Sequence, residues 1–333
     1  MSQRKKGWIL AGLTIATCVL GCDESDHEQL NDAEQILALV RLKDTLYLID
    51  YGTGLFQFNN KKESWKWIGD KGLHALAVDK TTLYCTSYSN VYRLIGSENA
   101  YNFDQITPQG LTPLGNQGIH VVLASEGDTI YASWDDGQLY RTKDRGETWH
   151  RLPSWPGSST AVYGWPREIR SHLVVRGNTI YVATFDGGVW GTQDEGLEWT
   201  AINSGLPENH SVFSLLLSGN TLYAGTDTGV YRLTVGTTSF HPVGLHDQWV
   251  NSLVASPKAL YAGVWRGGVW RSDNGGASWQ HIGLEGKKVS TLAVYYNRLF
   301  VGAWRGDGGV FYTDDEGASW HQLNNGLNLP THQ

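Results

Sequence analysis

The segment TDDEGASW, residues 313–320, is the last of four copies of one eight-residue phrase. The other copies are TKDRGETW at 142–149, TQDEGLEW at 192–199 and SDNGGASW at 272–279. Each copy places an Asp or Asn side chain in a short Gly-containing stretch and ends in Trp. Asp and Asn accept hydrogen bonds from the backbone of their own turn, and Gly permits a positive φ. The phrase therefore predicts a tight turn that leads into a strand.

A second phrase recurs more often and gives the period of the chain. It is a strand-like segment such as TLYLI, TIYVA or TLYAG, and its aromatic residue falls at seven positions: Tyr47, Tyr84, Tyr131, Tyr181, Tyr223, Tyr261 and Phe300. The successive spacings are 37, 47, 50, 42, 38 and 39 residues. Repeats of about 40 residues in a sequence rich in strand and turn residues are typical of a propeller with one blade per repeat.

Each repeat contains the same series of segments. An apolar run, a polar turn, the aromatic strand, a Gly-rich turn and a third strand come first, and the Trp of the turn phrase then opens a fourth strand. We call these strands A to D. The sequence therefore predicts an all-β, seven-bladed β-propeller with four antiparallel strands per blade over residues 36–333. Because the repeats begin with strand A and end with strand D, we expect the ring to close by packing, without strand exchange.

The turn phrase resembles the Asp-box, S/T-x-D-x-G-x-T/S-W, of BNR-repeat propellers, which include sialidases, sortilin-type receptors and the photosystem II assembly factor family. The phrase matches at Asp144, Asp194, Asn274 (in place of Asp) and Asp315. The resemblance implies a structural role for these residues, on the face opposite the usual binding face. Blade one has a worn copy with Asn60 and Trp65 at the matching spacing, and Phe103 and Phe240 take the Trp position in blades two and five.

The N-terminal segment, residues 1–21, differs from the rest of the chain. It has a basic start, an apolar core over residues 8–20, and Gly21 directly before Cys22. This pattern resembles a bacterial lipoprotein signal peptide, which implies cleavage before Cys22 and acylation of its thiol. Residues 22–35 are acidic and predict a tether. We therefore expect an extracytoplasmic protein anchored by lipid to a bacterial membrane, in the periplasm or on the cell surface.

The net charge argues against a nucleic-acid partner. The whole chain carries −7, and removal of the three positive charges in residues 1–21 gives −10. Nucleic-acid binding proteins instead concentrate positive charge. Of the three Cys residues, Cys22 and Cys85 would remain after cleavage, so acylation of Cys22 leaves no intramolecular disulfide. We expect a monomer.

The connections between strands B and C, and between D and the next A, share one face of a propeller. In this sequence they are aromatic, with Arg and acidic residues among the rings. The candidate ligand-binding residues are Trp134, Asp135, Trp165, Arg167, Asp186, Trp265, Arg266, Trp304 and Arg305. Such a surface suits a protein or a glycan ligand and requires no cofactor.

The alternative is a carbohydrate-active enzyme, either a glycoside hydrolase or a polysaccharide lyase, that uses the carboxylates of this face. Sialidase activity is disfavoured, because the Arg-Ile-Pro phrase of that family is absent from the chain. A metal site is a further alternative, since His74, His120 and His172 lie at the starts of three successive A strands.

The lipoprotein prediction is tested at Cys22. We expect Cys22→Ser to abolish both acylation and processing at this position, because the thiol is the acyl acceptor. Metabolic labelling with a radiolabelled fatty acid measures the first, and the mass of the mature chain measures the second. Equal label on the variant and the wild type would show that the anchor lies elsewhere.

Overall fold

The computed structural model describes residues 36–50, 53–69, 72–87, 89–97, 100–109, 121–134, 137–155, 172–184, 188–207, 211–304, 306 and 308–327. Within these residues the chain forms 28 strands in seven sheets of four. Strands that pair within a sheet follow one another in the sequence and run antiparallel. The predicted all-β, seven-bladed propeller is confirmed.

The first four blades have the following strands. Blade one contains β1 (Ile36–Leu42), β2 (Thr45–Asp50), β3 (Gly54–Asn59) and β4 (Ser64–Gly69), and blade two contains β5 (Ala75–Val78), β6 (Leu83–Ser87), β7 (Asn90–Ser97) and β8 (Ala100–Gln105). Blade three contains β9 (Val121–Glu126), β10 (Thr129–Trp134), β11 (Leu139–Thr142) and β12 (His150–Leu152), and blade four contains β13 (His172–Arg176), β14 (Thr179–Thr184), β15 (Gly188–Thr192) and β16 (Thr200–Ala201).

The last three blades follow the same order. Blade five contains β17 (Val212–Ser218), β18 (Thr221–Thr226), β19 (Gly229–Thr234) and β20 (His241–Pro242). Blade six contains β21 (Val250–Ala255), β22 (Leu260–Val264), β23 (Gly268–Ser272) and β24 (Gln280–Gly283). Blade seven contains β25 (Val289–Tyr295), β26 (Arg298–Ala303), β27 (Val310–Thr313) and β28 (His321–Gln322).

The four copies of the turn phrase, which we call the Asp turns, connect strands C and D by one hydrogen-bond scheme. In blade three, Asp144 Oδ1 accepts from the Thr142 hydroxyl at 2.7 Å and from the backbone N–H of Thr148 at 2.9 Å. The N–H of Gly146 donates to Thr142 Oγ1 at 2.8 Å. The corresponding bonds centre on Asp194, Asn274 and Asp315 in blades four, six and seven. These side chains therefore hold the turn itself.

The Trp that ends each Asp turn bonds to the preceding blade. Its indole N–H donates to a backbone carbonyl there, in the pairs Trp149–Ile106 (2.6 Å), Trp199–Pro153 (3.2 Å), Trp279–Val243 (2.9 Å) and Trp320–Ile282 (2.7 Å). The Asp turn thus fixes the position from which a Trp joins two neighbouring sheets. A Trp is suited to this because one end of its ring is apolar and the other carries a donor.

The degenerate copies of the turn phrase lie where the sequence predicts them, except that the capping residue of blade one is shifted by one position. In blade one the backbone N–H groups of Lys61 and Lys62 bond to Asn59 Oδ1, one residue before Asn60, which the spacing had indicated. Phe103 lies against Gly69 of the preceding blade, as Trp320 lies against Gly283. We call the junction between two neighbouring blades a seam. A ring therefore packs in the seam even where the turn phrase is lost.

Arg side chains in the C strands form ion pairs with the next blade. Arg141 binds Glu195 of the blade-four Asp turn, and Arg271 binds Glu316 of the blade-seven Asp turn. Arg93 in blade two reaches Glu147 of blade three at 2.9 Å. Each guanidinium is mostly covered while its partner is more exposed, so these pairs link neighbouring blades near the surface.

Glycines in the B strands let the next blade approach closely. A Cβ at Gly263 would lie 2.5 Å from Val289 Cγ1 of blade seven, and one at Gly302 would lie 2.6 Å from Ile36 Cγ2 of blade one. Both distances are shorter than van der Waals contact. The recurring Gly after the aromatic strand motif is thus explained by packing between blades.

Among the described residues the ring closes between blades seven and one without strand exchange, as the order of the repeats predicts. Trp65 of blade one donates its indole N–H to Leu323 O at 2.8 Å and its backbone N–H to Asn325 O at 2.7 Å. Near the channel, the Ser290 hydroxyl donates to Ile36 O at 2.6 Å. Residues at the two ends of the described chain therefore meet by direct backbone bonding.

A cluster of side chains strengthens the same seam. The Tyr295 hydroxyl donates to Asp44 O at 2.6 Å, and the Tyr296 hydroxyl donates to Asp44 Oδ1 at 2.5 Å. The Arg41 guanidinium lies over both rings, 5.4 Å from the centroid of Tyr295 and 4.7 Å from that of Tyr296. The seam combines hydrogen bonds with cation–π contacts.

The closing Trp is expected to matter most for stability. Trp65 is 3% exposed, whereas Trp320 is only partly buried. We expect Trp65→Ala to lower the free energy of unfolding by about 3–5 kcal/mol, the usual cost of removing a buried large ring. Trp320→Ala should cost less. Chemical denaturation of both variants measures the difference, and equal costs would show that closure has no special weight.

Acid sensitivity is expected from the Asp turns. Hydrogen bonds from the hydroxyl and backbone N–H of Thr148 lower the pKa of Asp144 to about 2. An unfolded Asp has a pKa of about 3.9. Because the folded value is the lower one, this carboxylate stabilises the fold above about pH 4, and the contribution is lost as the pH falls towards 2.

We therefore expect Asp144→Asn to flatten the pH dependence of unfolding between about pH 4 and 2, since an amide does not titrate in this range. The turn tolerates an amide, because Asn274 makes the equivalent bonds in blade six. Asn274→Asp in blade six is the reciprocal change and should steepen the same slope, because it places a titrating carboxylate in an equivalent turn. A wild-type slope in Asp144→Asn would contradict the assignment.

Candidate ligand-binding face

The connections of the propeller fall on two faces. The A–B turns and the Asp turns lie on one face, which we call the turn face. The B–C and D–A connections lie on the other, which we call the loop face. The sequence placed its candidate ligand-binding residues in the connections of the loop face.

Two predicted Trp residues meet on the loop face between blades six and seven. Trp265 follows β22 directly, and Trp304 follows β26 at the same place in the next blade. Their rings lie edge to face, with centroids 5.3 Å apart and planes at 77°. Backbone bonds position each ring: the Trp265 N–H donates to Trp249 O at 2.9 Å, and the Trp304 N–H donates to Lys288 O at 3.2 Å.

A lysine covers the pair. Lys288 Nζ lies 5.2 Å from the ring centroid of Trp265 and 5.3 Å from that of Trp304. Lys288 comes directly before β25, so its backbone is fixed by the start of a channel-lining strand. An ammonium over two electron-rich ring faces is a stabilising arrangement. It also places a positive charge where the two rings meet.

Arg266 adds a second cation beside this pair. It lies at the tip of the turn between β22 and β23, is exposed, and has a φ of 57°. A left-handed conformation is uncommon for a residue other than Gly and marks a locally constrained turn. We call Trp265, Arg266, Lys288 and Trp304 the six–seven cluster.

Buried polar atoms without partners lie in the same seam. Trp304 is 8% exposed, and its indole N–H has no hydrogen-bond partner among the described residues. Asn251, at the start of β21, is fully buried and donates to Val289 O at 3.2 Å, while its Oδ1 has no acceptor bond within the described part of the chain. Such groups are uncommon in native proteins, and a functional role is one of the explanations for them.

Trp134 has a different environment. It is 1% exposed, and its indole N–H donates to Ser89 O of blade two at 3.1 Å. Its ring also contacts Tyr140 edge to face. The side chain therefore packs the junction between blades two and three and presents almost no surface to a ligand.

The remaining predicted binding residues, Asp135, Trp165, Arg167, Asp186 and Arg305, lie outside the described residues, as does the predicted lipidation site Cys22. His74 and His172 are buried at the starts of the A strands of blades two and four, and His120 lies outside the described residues. Among the described residues there is no group of three or more His, Cys, Asp or Glu arranged to hold a metal. The three-histidine site stays a prediction.

Sequence reasoning overlooked Lys288. The signal was available in outline, because Lys287 and Lys288 immediately precede a predicted A strand, which places them on the loop face. What the sequence could not show is that the Lys288 side chain lies over two rings from different blades. That contact depends on the angle between the blades.

Comparisons with known proteins give the fold and no family. No protein-family model matches the chain, and no curated protein matches it. In addition, no helix within the described residues is long and apolar enough to cross a membrane.

Solved structures do match. The extracellular domain of BT4673 from B. thetaiotaomicron is 17% identical with a TM-score of 0.62, over 90% of this chain and 40% of that one. The GH74 enzyme of Niastella koreensis is 18% identical with a TM-score of 0.67, over 94% and 56%. YCF48 bound to D1 peptide is 15% identical with a TM-score of 0.58, over 78% and 84%.

These similarities establish a shared propeller architecture. At 15–18% identity they do not transfer a ligand or an activity. The chain also spans well under two thirds of the length of both the BT4673 domain and the GH74 enzyme. Whatever those longer proteins do as a whole can reach this chain only as a proposal.

Proposed function

We propose that this chain is an extracytoplasmic, lipid-anchored binding propeller that holds a protein or glycan ligand at the six–seven cluster. The observation that carries the proposal is the placement of Lys288 over the rings of Trp265 and Trp304 on the loop face. Rings with a fixed cation between them offer apolar contact and charge to the same ligand. This combination is typical of binding sites, where aromatic and Arg residues supply much of the affinity.

The geometry of the neighbouring turn supports the same proposal. Arg266 is exposed at the tip of the turn that carries Trp265, and the indole N–H of Trp304 has no hydrogen-bond partner among the described residues. A guanidinium makes planar, paired contacts with a carboxylate or with adjacent hydroxyls. The cluster therefore suits a ligand with a flat or apolar segment next to an anionic or hydroxyl-rich group.

The comparisons are compatible with a binding role outside the cytoplasm. One structural neighbour is an extracellular domain, and another was solved with a bound peptide. The predicted signal peptide and Cys22 supply the export and anchoring parts of the proposal. The enzyme alternative depends on loop-face carboxylates such as Asp135 and Asp186, which lie outside the described residues, so it stays a prediction.

A glycan and peptide array identifies the ligand, and calorimetric titration then tests the cluster. We expect Arg266→Lys and Arg305→Lys each to weaken binding roughly tenfold, because Lys replaces a two-pronged contact by a single charge. The melting temperature should change little, since Arg266 is exposed.

The control is Arg151→Lys, an exposed substitution on β12 of blade three, which should leave affinity unchanged. Wild-type affinity in both Arg266→Lys and Arg305→Lys would remove the Trp-Arg-Gly turns of blades six and seven from the site. The long connection between blades three and four, which contains Trp165 and Arg167, would then be the remaining candidate binding site.

A further inference from the structure

A concave surface lies between blades five and six, lined by the C strands of both blades, the D strand of blade five, the connection between the blades and the blade-six Asp turn. It is a groove of about 660 Å³. Its walls include Arg232 of β19, Trp270 of β23, and Trp279 at the end of the blade-six Asp turn, and His246, Gln248 and Ser278 complete its polar lining. We call it the five–six groove. It shares no lining residue with the six–seven cluster, although Trp270 bonds to Gly267 in the turn that carries Arg266. Its inference does not rest on the function proposed above.

The groove contains an arginine whose expected partner is missing. Arg141, Arg232 and Arg271 occupy equivalent positions, because each pairs in register with the recurring Tyr of its own blade: Tyr131, Tyr223 and Tyr261. Arg141 and Arg271 each bind a Glu of the next Asp turn, Glu195 and Glu316. At the corresponding position the blade-six turn has Gly275.

Arg232 is consequently different from its counterparts. It is exposed, and it makes no ion pair with any described residue. The described lining of the groove contains Arg232 and no Asp or Glu, and the acid next to the lining in the chain is Asp247. An accessible guanidinium in a concave, acid-free surface is suited to a carboxylate or another planar anion.

The rings of Trp270 and Trp279 determine which kind of group can bind next to that anion. Trp270 and Trp279 are partly exposed, and both indole N–H groups are already bonded, to Gly267 O at 3.0 Å and to Val243 O at 2.9 Å. They therefore offer fixed ring surfaces and no further donors. Gln248 and Ser278 supply amide and hydroxyl groups nearby. Rings for stacking, neutral polar groups and one cation match a sugar chain that carries carboxylates.

A peptide strand fits this wall less well. A peptide that extends a sheet needs a row of free backbone groups along an outer strand. The outer strand of blade five, β20, has two residues, and one of them is Pro242, which has no N–H. Recognition here would rest on side chains, as it does for a sugar.

From these observations we propose that the five–six groove is a binding site for an acidic oligosaccharide, with Arg232 on a uronate carboxylate and Trp270 and Trp279 against the sugar rings. The absence of an acid at position 275 keeps the arginine available. The backbone at Gly275 is compatible with an acid, because Glu195 and Glu316 adopt φ values of 59° and 63°, close to its 67°. The nearest atom to a Cβ at this position would be the Tyr223 hydroxyl, at 3.3 Å.

The test is calorimetric titration of the full chain with a tetragalacturonate. We expect the wild type to bind it and to bind a neutral galactose tetramer far more weakly. Arg232→Gln should weaken binding by about tenfold or more, through loss of the charged contact. Gly275→Glu should weaken it similarly while the melting temperature is maintained, since the new carboxylate pairs with Arg232 as Glu316 pairs with Arg271.

Arg271→Gln is the matched control, because that guanidinium is already bound to Glu316, and it should keep wild-type affinity. Tetraglutamate serves as the peptide probe. Binding of tetraglutamate without binding of tetragalacturonate would overturn the proposal in favour of an acidic peptide. Unchanged affinity in both Arg232→Gln and Gly275→Glu, or no binding of tetragalacturonate at millimolar concentration, would overturn it outright.

Discussion

The bond from a Trp indole N–H to a backbone carbonyl of the preceding blade is the interaction on which the rest of this structure depends. Each blade is a complete four-stranded sheet, so the hydrogen bonds within a sheet do nothing to hold one blade to the next. Among the described residues the Trp bond crosses five of the seven junctions between blades, and at Trp65 it crosses the junction that closes the ring. The Asp turn positions this ring, because its Asp or Asn side chain fixes the backbone conformation directly before the Trp.

The two faces of the propeller differ in how far they follow the repeat. The turn face repeats one solution, with similar hydrogen bonds around Asp144, Asp194, Asn274 and Asp315. The connections of the loop face differ in length and composition from blade to blade. A scaffold held by one face leaves the other free to vary, which is the usual arrangement when binding residues are carried on loops above a rigid framework.

At two seams the side chains depart from the repeat, and each of these seams therefore carries its own set of polar or charged groups. Between blades six and seven, Trp residues at equivalent positions meet beneath Lys288, and polar atoms below them lack partners among the described residues. Between blades five and six, Gly275 stands where its counterparts have Glu, so Arg232 faces a groove without its usual acid. In both places the backbone follows the repeat and the side chains do not. Such local departures from an otherwise consistent pattern are where function is expected.

The sequence by itself determined the architecture, because a repeat of about 40 residues with four strand-like segments can bury its apolar faces only by stacking against copies of itself. It also located the turns, since the Asp and Gly of the phrase act on their immediate neighbours. Tertiary structure alone decided which aromatic residues are available. Trp265 and Trp304 lie at the same distance from the recurring aromatic residue of their B strands, yet Trp265 is partly exposed and Trp304 is buried, and only the fold brings the two rings together beneath Lys288. The reason is that contacts across a seam depend on the angle between two sheets and on side chains from distant repeats, and no local pattern encodes either.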